Sequence, residues 1–288
     1  MRHLGDFFLY AFLISVFYFA CTEPALGSQI SPIKSIKATN HNLQRLSHIE
    51  SDKLIKNLKL FNQLDRTILH VDFVHNSKDS PKQKVAEGLI LSAKLGESHF
   101  KRIYISEEAT EKWMEYIIRS GDKSEVWFRN NGTKNFILVE ADKWNRNFSR
   151  TVLFSPIDLM HPDLFSSEYQ YDGPEIYGVR SVAHSFIIEP NNRTIYEKDL
   201  ISSFRVLIDR TYNGIRKIEY IRNKELVNSL EVLGLKKINN IWVISRLVSN
   251  FKGQKTTLRV KELRVLETTN LVEFFNPLNQ GLETLNEL

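Results

Sequence analysis

Leu69, Val71 and Phe73 alternate with His70 and Asp72, and that rhythm governs most of the chain beyond them. Successive side chains of an extended strand point to opposite faces, so period two means a strand with one buried and one wet face. The same pattern predicts strands over Gly88–Leu95, Lys101–Ile105, Trp113–Ile118, Glu125–Arg129 and Asn135–Val139. After a gap it returns over Arg180–Ile188, Phe204–Asp209, Ile215–Ile221, Leu226–Leu235, Ile241–Phe251 and Thr257–Val265. Turn formers separate them: Asn76 to Lys84, Asn131-Gly132, Asn213-Gly214, Asn223-Lys224-Glu225, Asn239-Asn240 and Gly253-Gln254. Asn-Gly between alternating segments predicts a two-residue hairpin with positive φ at both central positions. Short connections of this kind give antiparallel neighbours.

Two stretches depart from the rhythm. Leu43, Leu46, Ile49, Leu54, Leu58, Phe61 and Leu64 recur at three- and four-residue spacing after Asn40, which predicts a capped amphipathic helix of about 24 residues. Residues 142–175, with the proline-punctuated run Ser155-Pro156-Ile157-Asp158-Leu159-Met160-His161-Pro162-Asp163-Leu164-Phe165, read as a long loop holding one or two short helices. The expected fold is mainly β with few helices. A curved antiparallel sheet forms an unclosed barrel, with the amphipathic helix and the mid-chain segment as its cover.

The start of the chain concerns where the protein works. Arg2 and His3 precede the apolar run Phe7 to Ala20, and Ala25-Leu26-Gly27 offers small residues for a cut before Ser28. These are the parts of a secretory signal peptide. The run falls short of the ~20 apolar residues of a membrane span. The expected organisation is a signal peptide over 1–27, a tether over 28–40, one β domain over 41–275 and a tail over 276–288. Cys21, the sole cysteine, falls within the signal region, so no disulfide is expected after cleavage. Cys21 also admits a second reading, as a lipidated first residue. Ala20 fits that pattern, whereas Tyr18 and Phe19 are larger than it prefers. A net charge of +5, without a Lys/Arg block, fits a solvated surface or a contact with anionic membrane headgroups and gives no footing for nucleic acid.

Catalytic signatures are missing: no Gly-x-Ser-x-Gly elbow, phosphate-binding glycine loop, His-Glu-x-x-His or cysteine cluster. No cofactor, catalytic residue or metal ligand is expected. Ser155, Asp158, His161 and Asp163 come nearest to a hydrolase or metal set, but four residues of one loop are also what turns and caps use. Glu107-Glu108 reads as a solvated face.

Several passages together resemble the LolA/LolB-like superfamily, in its outer-membrane lipoprotein-sorting branch. Arg119-Ser120-Gly121-Asp122-Lys123-Ser124-Glu125-Val126-Trp127-Phe128 is similar to the family's Gly-Asp turn into a strand. Ser155-Pro156-Ile157-Asp158-Leu159 resembles its Ser-Asp-x-x-x-Glu-Asp-Leu region in degraded form. Val206-Leu207-Ile208-Asp209 through Gly214, Ile218-Glu219-Tyr220 and Ile241-Trp242-Val243 resemble its closing strand, Asp, turn, strand and Gly-x-Trp run. The likeness spans about residues 42–275. It implies an open barrel with a helical lid over an apolar cavity, a non-enzymatic role, lipoprotein acyl chains or other lipid as cargo, and an envelope transporter or acceptor protein as partner. Alternation groups the cavity candidates by face: Val126 with Phe128, Phe136 with Leu138, Phe204 with Val206 and Ile208, and Trp113 with Ile117. A hydrolase using Ser155, Asp158 or His161 and a ligand-free envelope scaffold are the competing readings.

Overall fold

A computed structural model describes residues 43–60, 65–77, 80–121, 123–133, 135–160, 168–177, 181–190, 195, 201–211, 213–238, 241–266 and 271–278. The signal and tether expectations, Asn40, Cys21, His161, Asp163 and most of the tail lie outside these residues.

Thirteen strands form one antiparallel sheet. They are β1 (Thr67–Ser77), β2 (Ser80–Leu95), β3 (Ser98–Glu107), β4 (Trp113–Ser120), β5 (Glu125–Asn130), β6 (Ile137–Leu138), β7 (Tyr169–Tyr177), β8 (Ser181–Ile188), β9 (Ser203–Asp209), β10 (Ile215–Arg222), β11 (Glu225–Ile238), β12 (Ile241–Phe251) and β13 (Gln254–Val265). Among the described residues three α-helical segments with defined bounds accompany them: α1 (His48–Leu60), α2 (Pro156–Met160) and α3 (Leu271–Phe274). The order across the sheet is β6-β5-β4-β3-β2-β1-β13-β12-β11-β10-β9-β8-β7. Every connection between successive strands joins neighbours except one. β6 and β7 instead lie at opposite edges of the sheet, and the first and last strands pair in the middle.

The sheet is curled. Val126 on β5 and Phe204 on β9 are nine strand spacings apart in the order, roughly 43 Å in a flat sheet at ~4.8 Å per strand. Both nevertheless belong to one buried cluster with the mid-chain segment. Gly88 shows how tightly strands meet on the inner side. A Cβ there would stand 2.5 Å from the Tyr104 carbonyl oxygen and 3.2 Å from the Phe73 ring. The barrel stays open between β6 and β7. β6 is two residues long, and β7 carries a bulge at Tyr171/Gly173, with Gly173 at φ +134° followed by Pro174. Both devices blunt an edge against pairing with another chain.

Residues 141–160 fill the interior rather than cover it. Phe154 meets Phe73 of β1 edge-on at 6.0 Å, and Phe148 lies 4.7 Å from Tyr116 of β4. Thr256 of β13, fully buried, accepts from Leu153 N and donates to Thr151 O at 2.7 Å. Val152 and Phe154 have no exposed surface. A second, smaller cluster sits on the outer face. There Ile68, Leu91 and Ala93 pack under Leu271 and Phe275 at the α3 end of the chain.

Several expectations are corrected in detail. The helix starts later than expected: residues 43–47 are not helical, α1 begins at a capping box, and the expected continuation over Phe61 and Leu64 lies outside the described residues. Ser47 N and Oγ both donate to Glu50 Oε2 at 2.8 Å, and Glu50 N donates back to Ser47 Oγ. These bonds hold the Glu50 carboxyl below its ordinary range. Leu54 and Ile55 are its buried anchors, while Ile49 is 80% exposed. Ser47→Ala should cost α1 about 1 kcal/mol. Hydrogen exchange at the Ser51–Ile55 amides checks this, with rates rising roughly fivefold. The Asn131-Gly132 turn has no positive φ at either residue. Instead Asn130 Oδ1 accepts from Gly132 N at 2.9 Å, Thr133 N donates to Asn130 O, and Asn131 Oδ1 takes the Trp113 amide. The left-handed pairs occur at Asn223-Lys224 and Lys252-Gly253. The polar stretch Asn76–Lys84 is largely strand, and β7 occupies residues assigned to the loop.

Candidate functional site

The inner face is one apolar lining. Val71, Phe73, Ile90, Ile103, Ile118, Val206 and Leu258 belong to it together with the side chains of the filling segment. Of the residues that alternation grouped, Val126, Phe204, Val206 and Ile208 are buried in this cluster, and Phe128 packs against it. Trp113, Ile117, Phe136 and Leu138 sit elsewhere. Ile117 is opposite Trp127 and Arg102 on the other side of the pleat from Ile118. Leu138 is 62% exposed on the short edge strand.

Trp113 and Phe136 instead cover a buried charge trio on the outer face. Glu115 accepts from Arg129 Nε at 2.7 Å and from Arg102 Nε, and all three side chains are at most 3% exposed. The Phe136 ring lies 4.4 Å from the Arg129 guanidinium carbon, and the Trp113 ring lies 6.0 Å from it. Arg102 also donates to Phe274 O at 2.9 Å, which ties the α3 end to the trio.

Ser155 and Asp158 stand together, but as a helix cap. Ser155 N and Oγ both donate to Asp158 Oδ2 at 2.8 Å, with Pro156 at the first helical position of α2. Tyr220 OH donates to the other carboxylate oxygen at 2.6 Å. Burial pushes the Asp158 carboxyl up, while the Tyr220 and Ser155 hydrogen bonds pull against it. Ser155 therefore directs its hydroxyl hydrogen to the Asp158 carboxylate. His161 and Asp163, the other members of the hydrolase and metal sets, lie outside the described residues. Among the described residues no cluster of three His, Cys, Asp or Glu could hold a metal ion.

Beside this cap lies a pocket of about 250 Å³, walled by Ile157, Asp158, Ile201, Tyr220, Asn228 and Phe251, with Arg146 at its rim. Tyr220, Asn228 and Phe251 are cross-strand neighbours on β10, β11 and β12. Against β10 the register slips, so that Tyr220 faces Asn228 and Ile221 faces Leu226. Val227 is thus the extra residue of a bulge, and the bulge turns Val227 and Asn228 together onto the pocket wall. A larger groove of about 530 Å³ runs over the outer face past His70, Asp72, Tyr104 and Lys261. It is charged, with Asp72 paired to Lys261 at 3.0 Å.

At the mouth, α1 and the residues just before it meet the β7 edge through polar contacts, while Leu54 and Ile55 anchor the helix in the inner cluster. Leu46 N donates to Tyr171 OH at 3.1 Å, the Arg45 guanidinium lies 5.4 Å from the Tyr171 ring, and Tyr169 OH bonds Asp52. On the inner wall of β3, Lys101 Nζ donates to Leu159 O at the end of α2. Burial brings the Lys101 ammonium down to about 8 and His99, next to it on the same face, to about 4. Between pH 6.5 and 4 the unfolded chain takes a proton at residue 99 that the folded chain refuses. Stability therefore falls as pH drops through that window. His99→Gln should flatten this acid limb, read as the difference in urea midpoint from the wild type across pH.

No family model matches the chain. Over 181 residues it is 29% identical to an uncharacterized MCM-type protein of Methanocaldococcus jannaschii. That match takes in 58% of this chain, which spans about a quarter of that protein's length (24%). Solved structures match more fully. A DUF1329 family protein from Desulfovibrio piger gives a TM-score of 0.64 at 14% identity, over 79% of this chain and 96% of that one. A domain from Vibrio parahaemolyticus that carries the name outer membrane lipoprotein-sorting protein gives 0.64 at 13%, over 78% and 95%. A LolA superfamily protein from Nitrosomonas europaea gives 0.57 at 12%, over 77% and 96%. At such identities the likeness is one of architecture, and the chain has the LolA-like fold, a curled antiparallel sheet left open at one seam.

Proposed function

We propose that the protein is an exported, non-enzymatic binding protein that holds acyl chains of a lipid or lipoprotein against the inner face of its sheet, within the periplasm and on the way to the outer membrane. The observation that carries this reading is the lining. One apolar cluster runs along the inner side from β1 to β5 and from β8 to β13. Burial of each methylene there contributes ~0.8 kcal/mol, enough to hold a chain without any specific bond. The fold shared with a domain named for lipoprotein sorting supports it. The Ser155–Asp158 cap supports binding over hydrolysis. Val126, Phe128, Phe204, Val206 and Ile208 are then the cargo-facing residues. An envelope transporter or acceptor protein is the partner this role calls for.

The filled interior favours a second reading, an envelope scaffold without cargo. Phe154 and Val152 occupy space that long chains would need, so a carrier must shift residues 141–160 or α1 to load. Native mass spectrometry of the protein isolated gently from its own cells tests both. A bound acyl species is expected. A clean protein mass, with no uptake of added fatty acid, would overturn the carrier and leave the scaffold.

A further inference from the structure

Three hairpin turns project side by side from one end of the sheet. The register fixes this: Asn76 of β1 faces Lys255 of β13, Lys255 faces Asn250 of β12, and Phe251 faces Asn228 of β11. The β1–β2, β12–β13 and β10–β11 turns therefore share an end, across six consecutive strands of the order. Residues 222–226 and 251–255 hold four cations against one acid, Glu225. Lys224, Lys252 and Lys255 are exposed, and none of them meets a carboxylate among the described residues. Lys224 (φ +70°) and Lys252 (φ +51°) hold a left-handed backbone that glycine or asparagine adopts with less strain. Two cations are thus kept at turn positions the backbone alone would give to other residues, and strain of this kind clusters at functional places. The filling segment adds to them. Thr151 O accepts from Thr256, the neighbour of Lys255, which brings exposed Arg150 to the same end. Exposed Arg146 stands at the rim of the pocket that Val227 and Phe251 wall. Leu226 sits among these charges with 56% of its surface exposed. Glu107, Glu108 and Glu111 stand farther round, at the β3–β4 turn beyond β2, where Lys84 pairs with Glu108 at 2.7 Å.

We infer that this end of the sheet is a docking surface for an anionic lipid bilayer. The lysines meet the headgroup phosphates, and Leu226 enters the interfacial layer between them. A soluble polyanion would match the charges but gain nothing from an exposed leucine in their midst. The inference goes beyond the acyl-binding reading and does not depend on it. Its consequence for that reading is one of placement. Val227 and Phe251 of the pocket wall each follow or precede a tip residue directly, Leu226 and Lys252, so docking holds that pocket next to the membrane.

The test is co-sedimentation of the protein, isolated from its own cells, with two kinds of vesicle: phosphatidylcholine alone, and phosphatidylcholine with phosphatidylglycerol in equal parts. Binding should favour the anionic vesicles and weaken as salt rises. A lysine near an anionic surface contributes roughly fivefold in partition, so the triple variant Lys224→Asn, Lys252→Asn, Lys255→Gln should lose on the order of 100-fold. Asparagine suits the left-handed turns, so the melting temperature of this variant should match or exceed that of the wild type. Lys94→Gln, Lys123→Gln and Lys237→Gln remove the same charge at the β2–β3, β4–β5 and β11–β12 turns of the opposite end, and together should cost less than about tenfold. Equal binding of the wild type to the two vesicles, or equal losses from the two triple variants, would overturn the docking surface. Either result leaves the acyl-binding reading standing, because bound acyl chains are read separately by mass. The wild-type comparison decides the matter even if a variant fails to fold.

Discussion

Glu115→Ala should lower stability by about 3–5 kcal/mol, the cost of leaving buried charge without its counter-ion. Two guanidinium groups, Arg102 and Arg129, share that one carboxylate from the strands on either side of β4, and neither can reach water by a side-chain rotation while Phe136 and α3 cover them. For a domain of this size the loss corresponds to a fall in melting temperature on the order of 10 °C. The informative contrast is the joint replacement of Arg102, Glu115 and Arg129 by Met, Leu and Met. Burying a well-formed ion set is expensive, so that variant should be near the wild type or above it. A single-site loss below 1 kcal/mol would mean that the trio opens to solvent, contrary to its burial.

The second large effect belongs to the interior. Phe154→Ala should cost about 3–5 kcal/mol, the usual range for truncating a fully buried aromatic ring. It removes the edge contact with Phe73 and opens an apolar void between β1 and the filling segment. Voids lined by such side chains stay dry and accept small apolar molecules. Phe154→Ala should therefore take up benzene or xenon that the wild type excludes, as thermal stabilisation by the added probe. Loss of stability without uptake would mean that residues 141–160 collapse into the space, and that the interior adapts rather than loads.

Much of the architecture was legible in the chain because alternation reports directly on a sheet with one wet face. β3, β4, β5 and β9 to β13 fall where period two puts them. β7 was hidden by Gly173 and Pro174, edge-protecting residues that also read as loop. The first half of β2 is a polar wing, exposed at Pro81 to Lys84, with no apolar face to announce it. The site was less legible for a geometric reason. Alternation sorts Trp113 and Ile117 from Met114 and Ile118 but cannot say which set looks inward, since both faces of this sheet carry a buried cluster. The Ser155–Asp158 spacing did contain its own answer, a three-residue capping interval with proline inside it. The place of Asn228 on the pocket wall left no local signal, because it depends on the bulge at Val227 and on the register with β10 and β12.

The seam between β1 and β13 sets a timetable for the chain's birth. Thr67 and Val265 are direct partners although 198 residues separate them. β1 lies between β2 and β13, so one of its edges waits open until the last strand exists. At ribosomal rates of roughly 5–20 residues per second that wait is about 10–40 s. Ring closure over so long a stretch is entropically slow, and high contact order delays folding further. During it Val71, Phe73 and Val74 are displayed on an unpaired ribbon, an invitation to aggregate. A nascent chain of this kind stays threadable for as long as its final strand is missing, and it needs a holdase more than a foldase.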